Sequence, residues 1–195
     1  ADQTVSVDTL DDDVAGFTIE ETDGSTEVDE SGSTDIFTIV LDAQPTNDVV
    51  VLATASNDET EATVSGSITF TSENWDTPQT VTVTGVDDDL VDGDQTYDIT
   101  ISIVDTISDD EFDGVADQSV SSTTLDDDAP GFTIEETDAA TEVDESGSTD
   151  IFTVVLDAQP TSDVVLTITS DDTGEATVPA SVTFTAADWD TPQTV

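Results

Sequence analysis

Apolar residues along this chain recur at every second position, the period of a strand with one buried face. In TYDITISI, Tyr97, Ile99, Ile101 and Ile103 face one way, while Asp98, Thr100 and Ser102 face the other. In QTVTVTG, Val81 and Val83 alternate with Thr80, Thr82 and Thr84; Ile68 with Phe70, and Phe17 with Ile19, repeat the pattern. IFTIVL at 36–41 and VVVLA at 49–53 are richer, and are expected as central strands buried on both sides. Turn signals separate the runs at Gly24, Ser31-Gly32, Gln44-Pro45, Ser65-Gly66, Thr77-Pro78, Asp92-Gly93 and Asp113-Gly114. No stretch sustains a 3.6-residue period. About seven short strands, rich in Thr and Val, predict an all-β fold, an antiparallel β-sandwich of the immunoglobulin-like kind.

The pattern repeats. GFTIEETDGSTEVDESGSTDIFTIVLDAQPT from Gly16 returns from Gly131 as GFTIEETDAATEVDESGSTDIFTVVLDAQPT, and ADQTVSVDTLDDD at Ala1 returns as ADQSVSSTTLDDD at Ala116. Glu61–Val81 returns as Glu175–Val195, with one residue lost in the loop near Asp58. A period near 115 residues is a whole domain, not a solenoid turn. The register assigns 1–13 to the closing strand and acidic junction of a preceding repeat, 14–128 to a complete repeat and 129–195 to an incomplete second one. The reading is of tandem sandwiches in a linear array, a window on a longer chain. The absence of any Met agrees.

Composition then removes most chemistries. The 195 residues contain no Lys, Arg, His or Cys, and 48 acids give a formal charge of −48. Without His, Cys and Lys there is no Ser–His or Cys–His nucleophile, no Cys/His zinc site, no disulfide, no Schiff base and no P-loop. Without cationic side chains, nucleic acid and anionic membrane surfaces are repelled. No apolar run approaches a membrane span, and no signal peptide is visible. High acidity with few aromatics is also a signature of disorder, but disorder does not generate period-two alternation.

The acids are grouped. Of the 48, 35 are Asp, a turn and loop residue. They cluster in VDDDLVDGD (Asp87, Asp88, Asp89, Asp92, Asp94), in SDDEFDG (Asp109 to Asp113), and in LDDD at Asp126–Asp128, anticipated upstream by Asp11, Asp12 and Asp13. Two carboxylates about 5 Å apart repel by roughly 3 kcal/mol at an effective dielectric of 20. Such loops become compact when cations enter. Hard oxygen donors on irregular loops suit Ca²⁺ better than Mg²⁺, which demands a stricter octahedron. The spacing is neither an EF-hand nor an RTX repeat. The plain alternative is a solvated acidic surface, as on a halophilic protein.

TLDDDVAGFTIEE and TLDDDAPGFTIEE, taken with TVTGVDDDLVDGDQTYDITI, resemble the two signatures of Calx-β domains across the whole 115-residue repeat. The resemblance implies a seven-stranded sandwich binding several Ca²⁺ ions at one pole. The implied ligands are Glu20; Asp58 or Asn57; Asp87, Asp88, the carbonyl of Leu90, Asp92; and the closing Asp126, Asp127 and Asp128. The family carries an acid where this chain has Gln95, a place Asp94 would fill. In the partial repeat Glu135 and Asp172 match, and Asp11 to Asp13 correspond to a preceding domain.

The chain is therefore expected to be a structural, calcium-rigidified module of an extracellular or cell-surface adhesin, matrix protein or filament. Its partners would be neighbouring repeats and, in a filament or bundle, like chains. A Ca²⁺-sensing regulatory module is the second reading, disfavoured by the near-identity of the repeats. An enzyme is not expected: only carboxylate-pair chemistry is available, and Trp75 and Trp189 occupy one repeat position, better read as plugs at the sandwich edge. Strand exchange between subunits through Gln3–Thr9 is considered and set below a continuous longer chain, since the last repeat also lacks the equivalent of Thr82–Gly114.

Overall fold

A computed structural model describes residues 2–10, 12–56 and 60–195. The strands are β1 (Phe17–Glu21), β2 (Thr26–Asp29), β3 (Thr34–Leu41), β4 (Val49–Ala55), β5 (Ala62–Val64), β6 (Ser67–Phe70), β7 (Gln79–Gly85), β8 (Gln95–Ile103) and β9 (Gln118–Leu125), followed by β10 (Phe132–Glu136), β11 (Phe152–Leu156), β12 (Val164–Thr167), β13 (Ser181–Phe184) and β14 (Gln193–Thr194). The chain is all-β, as the alternation predicts. Among the described residues no helix is long and apolar enough to cross a membrane. The chain divides into two compact units, residues 1–86 with 96–124, and residues 87–95 with 125–195.

The first unit holds a four-stranded sheet in the order β1-β3-β7-β5 and a five-stranded sheet in the order β2-β9-β8-β4-β6. β3 runs antiparallel to β1 and β7, with Phe37 opposite Val81 and Ile39 opposite Ile19. β4 runs antiparallel to β6 and β8, with Val51 between Ile68 and Ile103. The inward residues of both sheets make one core around Phe37, Phe70, Ile39, Ile99, Ile101 and Val51. Thr-Val strands suit this architecture because β-branched side chains pack on a pleat with one wet face. The runs at 36–41 and 49–53 differ from expectation: burial alternates along both strands, and Ile36 and Leu52 are about a third exposed at 36% and 37%. A two-layer sandwich leaves the outer face of even a central strand to solvent.

Turn chemistry fixes the connections. The turn that carries β2 of one sheet into β3 of the other closes on Asp29, whose carboxylate accepts from the Ser31 hydroxyl and the Ser33 amide. Those hydrogen bonds hold the Asp29 carboxyl below the usual carboxylate range, the Ser31 hydroxyl contributing most. Gly85 has no alternative, because a Cβ there would fall 1.9 Å from the Asp29 carbonyl oxygen. Three hydroxyls are buried in sequence between β8 and β9: Ser122 donates to Tyr97 Oη at 3.1 Å, Tyr97 Oη lies 3.2 Å from Thr124 Oγ1, and Thr124 donates to the Glu61 carbonyl at 3.2 Å. They satisfy one another inside the core.

The second unit carries the equivalents of β1, β3, β4, β6 and the start of β7, in a three-stranded sheet β10-β11-β14 and a two-stranded sheet β12-β13. The β10–β11 register, Phe132 opposite Leu156 to Glu136 opposite Phe152, reproduces that of β1 and β3. Its core is small: Val154, Leu156 and Phe184, flanked by Phe152, Val164 and Trp189. Trp75 likewise packs, partly buried, against the first unit's core.

Candidate metal centre

The acidic loop that separates β7 from β8 and the segment that follows β9 meet in the second unit. Gly93, at φ 78°, reverses the loop and donates its amide to Asp126 Oδ2 at 2.7 Å. In return the Asp126 amide donates to Asp94 Oδ1 at 3.3 Å, and Asp126 Oδ1 accepts from the Asp128 amide at 2.8 Å. Asp88 Oδ1 accepts from the Leu90 amide at 2.7 Å. Gln95 spends its side-chain amide on the Gly93 and Asp92 carbonyls, at 2.9 and 3.3 Å. It is a turn brace where the Calx-β pattern has an acid.

These bonds bring carboxylates together. A carboxylate oxygen of Asp88 and one of Asp128 lie within 4.8 Å of each other. Asp128 Oδ2 is shut off from solvent and has no hydrogen-bond partner. Burial first, then the charges of Asp126, Asp89, Asp127 and Asp88, push the Asp128 carboxyl above the ordinary value. With no cationic side chain anywhere in the sequence, nothing on the chain can neutralise this group. The donor set is hard oxygen from irregular backbone, which fits a Ca²⁺-sized cation.

The apolar tip of the same loop is anchored. Leu90 forms a parallel bridge with Gln159, whose amide donates to the Asp89 carbonyl at 2.6 Å. Val91 lines a cavity of about 520 Å³ with Phe132, Leu156 and Pro160. Leu-Val amid five acids is thus a packing residue pair.

The remaining predicted ligands are scattered. Asp87, Asp92 and Asp127 are exposed on the loop and the closing segment. Glu20 and Glu135 stand exposed on β1 and β10. Asp12 is exposed outside any strand or helix, and Asp13 is exposed at a cavity edge with Val14 and Ala15. Asp172 is exposed and caps a turn, accepting from Gly174 N at 2.9 Å. Asp11, Asn57 and Asp58 lie outside the described residues.

Sequence reasoning missed two buried acids of the first unit. Glu30 is 1% exposed in the β2–β3 turn. It sits in ESGS, whose polarity reads as a surface turn. Asp109 is 3% exposed. It belongs to the SDDEFDG cluster but is a structural acceptor, taking the Thr46 amide and hydroxyl and the Asn47 amide, all at 2.7 Å, and the Glu111 amide at 3.1 Å. These bonds, the Thr46 hydroxyl first, hold its carboxyl down at about 2.

No family model matches the chain, and no curated protein matches it. Solved structures similar to it include the calcium binding domain CBD12 of CALX1.1, at 16% identity and TM-score 0.39, covering 91% of this chain and 74% of that one. CBD12 from CALX1.2 is similar at 17% and TM-score 0.40, covering 75% of this chain and 59% of its own length. The ASH/PapD-like domain of human CEP192 scores alike, at 14% identity and TM-score 0.41, over 66% of this chain and 96% of that one.

Proposed function

We propose that this chain is a structural, calcium-rigidified repeat module of a long extracellular adhesin, matrix protein or surface filament, with no enzymatic activity. In this reading residues 1–13 close a preceding repeat, 14–128 form a complete one and 129–195 begin the next. The observation that carries it is Asp128 Oδ2: shut off from solvent, without a hydrogen-bond partner, and on a carboxyl beset by neighbouring acids in a chain without a single cationic side chain.

Asp88 and Asp128 would hold the ion, with Asp87, Asp92, Asp94, Asp126, Asp127 and the Leu90 carbonyl as further oxygen donors. A bound Ca²⁺ supplies the positive charge that the chain lacks. The protein's part is to present the oxygens: Gly93 and Asp126 lock the loop to the closing segment, and Leu90 and Val91 pin the loop's apolar tip. Neutralised, the connection from β9 into β10 stiffens; uncompensated, its carboxylates repel. Neighbouring repeats are the natural partners.

Scanning calorimetry in Ca²⁺, in chelator and in high KCl with chelator tests the reading. At a Ca²⁺ concentration a hundredfold above the dissociation constant, binding to the native state alone adds about 2.7 kcal/mol, so the melting temperature should rise by several degrees. Asp128→Asn should remove most of that rise. Equal melting in Ca²⁺ and chelator sinks the metal site, and full rescue by KCl makes the acidity general and halophilic.

A further inference from the structure

Three Asp-Gly pairs occur in the chain, at 23–24, 92–93 and 113–114. Asp-Gly is a chemically weak link, because glycine has no Cβ to shield its amide nitrogen from the preceding carboxyl and its backbone turns freely. The structure restrains the three pairs differently. Gly93 stands at φ 78° and donates its amide to Asp126 Oδ2 at 2.7 Å, and the Asp92 carbonyl accepts from the Gln95 side chain at 3.3 Å. Asp23-Gly24 lies in the 3₁₀ turn Thr22–Gly24, with both residues at positive φ, 58° and 82°.

Asp113-Gly114 has no such restraint. The pair forms the corner of the turn that follows the 3₁₀ turn Asp110–Phe112, and only the ends of that corner are tied, by the Val115 amide on the Phe112 carbonyl at 3.1 Å. Both residues are exposed. Among the described residues the Gly114 amide finds no acceptor and the Asp113 carboxylate no donor. Nothing lies within 4 Å of the place where a Gly114 Cβ would stand, so the peptide has room to rotate onto the side chain. Desolvation first, then the charges of Asp105, Asp110 and Asp109, raise the Asp113 carboxyl above its ordinary value. A larger share of it is therefore protonated, the form whose hydroxyl can leave.

We propose that Asp113 is a self-modification site, at which the chain isomerises spontaneously to isoaspartate, while Asp92 is protected by the bond between the Gly93 amide and Asp126. The Gly114 amide nitrogen loses its proton and attacks Cγ of Asp113. The hydroxyl of the carboxyl leaves with a proton as water, and a cyclic imide closes. Water then adds at the α-carbonyl and opens the ring, so that the main chain runs through the former side chain. One water leaves and one returns; the mass is unchanged, and no oxidant, enzyme or metal takes part. The new link lengthens the backbone by a methylene directly after Phe112, which is 2% exposed in the first unit's core. It also alters the turn that Asp109 caps through the Glu111 amide. The isomerised first unit is therefore less stable than the fresh one. None of this rests on the calcium reading.

Ageing of the whole chain in warm, near-neutral buffer with chelator tests this. A Glu-specific protease then releases peptides in which electron-transfer fragmentation distinguishes isoaspartate from aspartate. Isoaspartate at Asp113 should exceed that at Asp92 severalfold. Gly114→Ala, where a Cβ has open space and no positive φ is required, should slow the reaction at Asp113 severalfold. Asp126→Ala, which releases the Gly93 amide, should raise isoaspartate at Asp92 and leave Asp113 unchanged. Aged wild type should unfold at lower urea than fresh protein, and aged Gly114→Ala should not. Equal levels at Asp92 and Asp113, or a Gly114→Ala variant that isomerises as fast as wild type, overturn the proposal. No rise at Asp92 in Asp126→Ala overturns the protective role of the Gly93 bond, and isomerised protein that unfolds like fresh protein overturns the structural consequence.

Discussion

The two units carry nearly the same sequence through their first fifty residues and bury it differently. Thr26–Asp29 is a strand with Val28 in the core; the same four letters at Thr141–Asp144 are coil with Val143 half exposed. Ala62–Val64 is a strand paired to Val83–Gly85 of β7, while its equivalent at 176–178 is coil, and the stretch matching those β7 residues is not in the second unit. The turn that follows Asp29, and its counterpart after Asp144, are indifferent to this. Asp29 with Ser31 and Ser33, and Asp144 with Ser146 and Ser148, make the same bonds in both units. Turns are local and written in the letters; strands at an edge exist only when a partner supplies the other half of the ladder.

The sharpest way to break the comparison is one substitution made twice. Val28→Asp puts an unpaired charge into a closed core and should cost roughly 4 kcal/mol, read by urea unfolding of the first unit. Val143→Asp should change stability by less than about 0.5 kcal/mol. Equal costs would show the second unit closed in solution.

Asp109 comes next. Asp109→Ala strands the Thr46, Asn47 and Glu111 donors and should cost about 3 kcal/mol. The second unit has no equivalent acid, so its own unfolding should not respond. The same group sets a pH window. Its carboxyl is held at about 2 against an ordinary 3.8, so its contribution is complete above the unfolded value. It is lost as pH falls through 3.8 toward 2, a slope that Asp109→Asn should flatten. Asp128 has the opposite sign. Its pKa is raised, so in chelator its ionised form destabilises the fold above that pKa. Lowering the pH toward 3.8 should relieve this, and Asp128→Asn should abolish the relief. The smallest effect is local: amides of Thr26–Asp29 should exchange far more slowly than those of Thr141–Asp144 in monomeric protein.

The apolar runs located β1, β3, β4, β6, β7 and β8, and with them the sandwich, while β9 was placed by the repeat register as the closing strand. β2 and β5 escaped because TEVD and ATV are too short and polar to show a period. The acidic loop and the closing Asp126–Asp128 were legible as clusters, and their convergence comes from lying at the ends of adjacent strands. Two things were not legible. Glu30 and Asp109 are carboxylates buried by what surrounds them, which no local pattern encodes. The role of Leu90 and Val91 as an apolar anchor depends on Gln159, roughly seventy residues away along the chain.

Trp75 and Trp189, one against each core, make the molecule its own optical instrument. The sequence has no other tryptophan, and its single tyrosine, Tyr97, is buried in the first unit. Trp75→Phe leaves emission that reports only the second unit, and Trp189→Phe only the first. Every comparison between the units can then be read in one cuvette, on unlabelled protein, by the colour of a single residue.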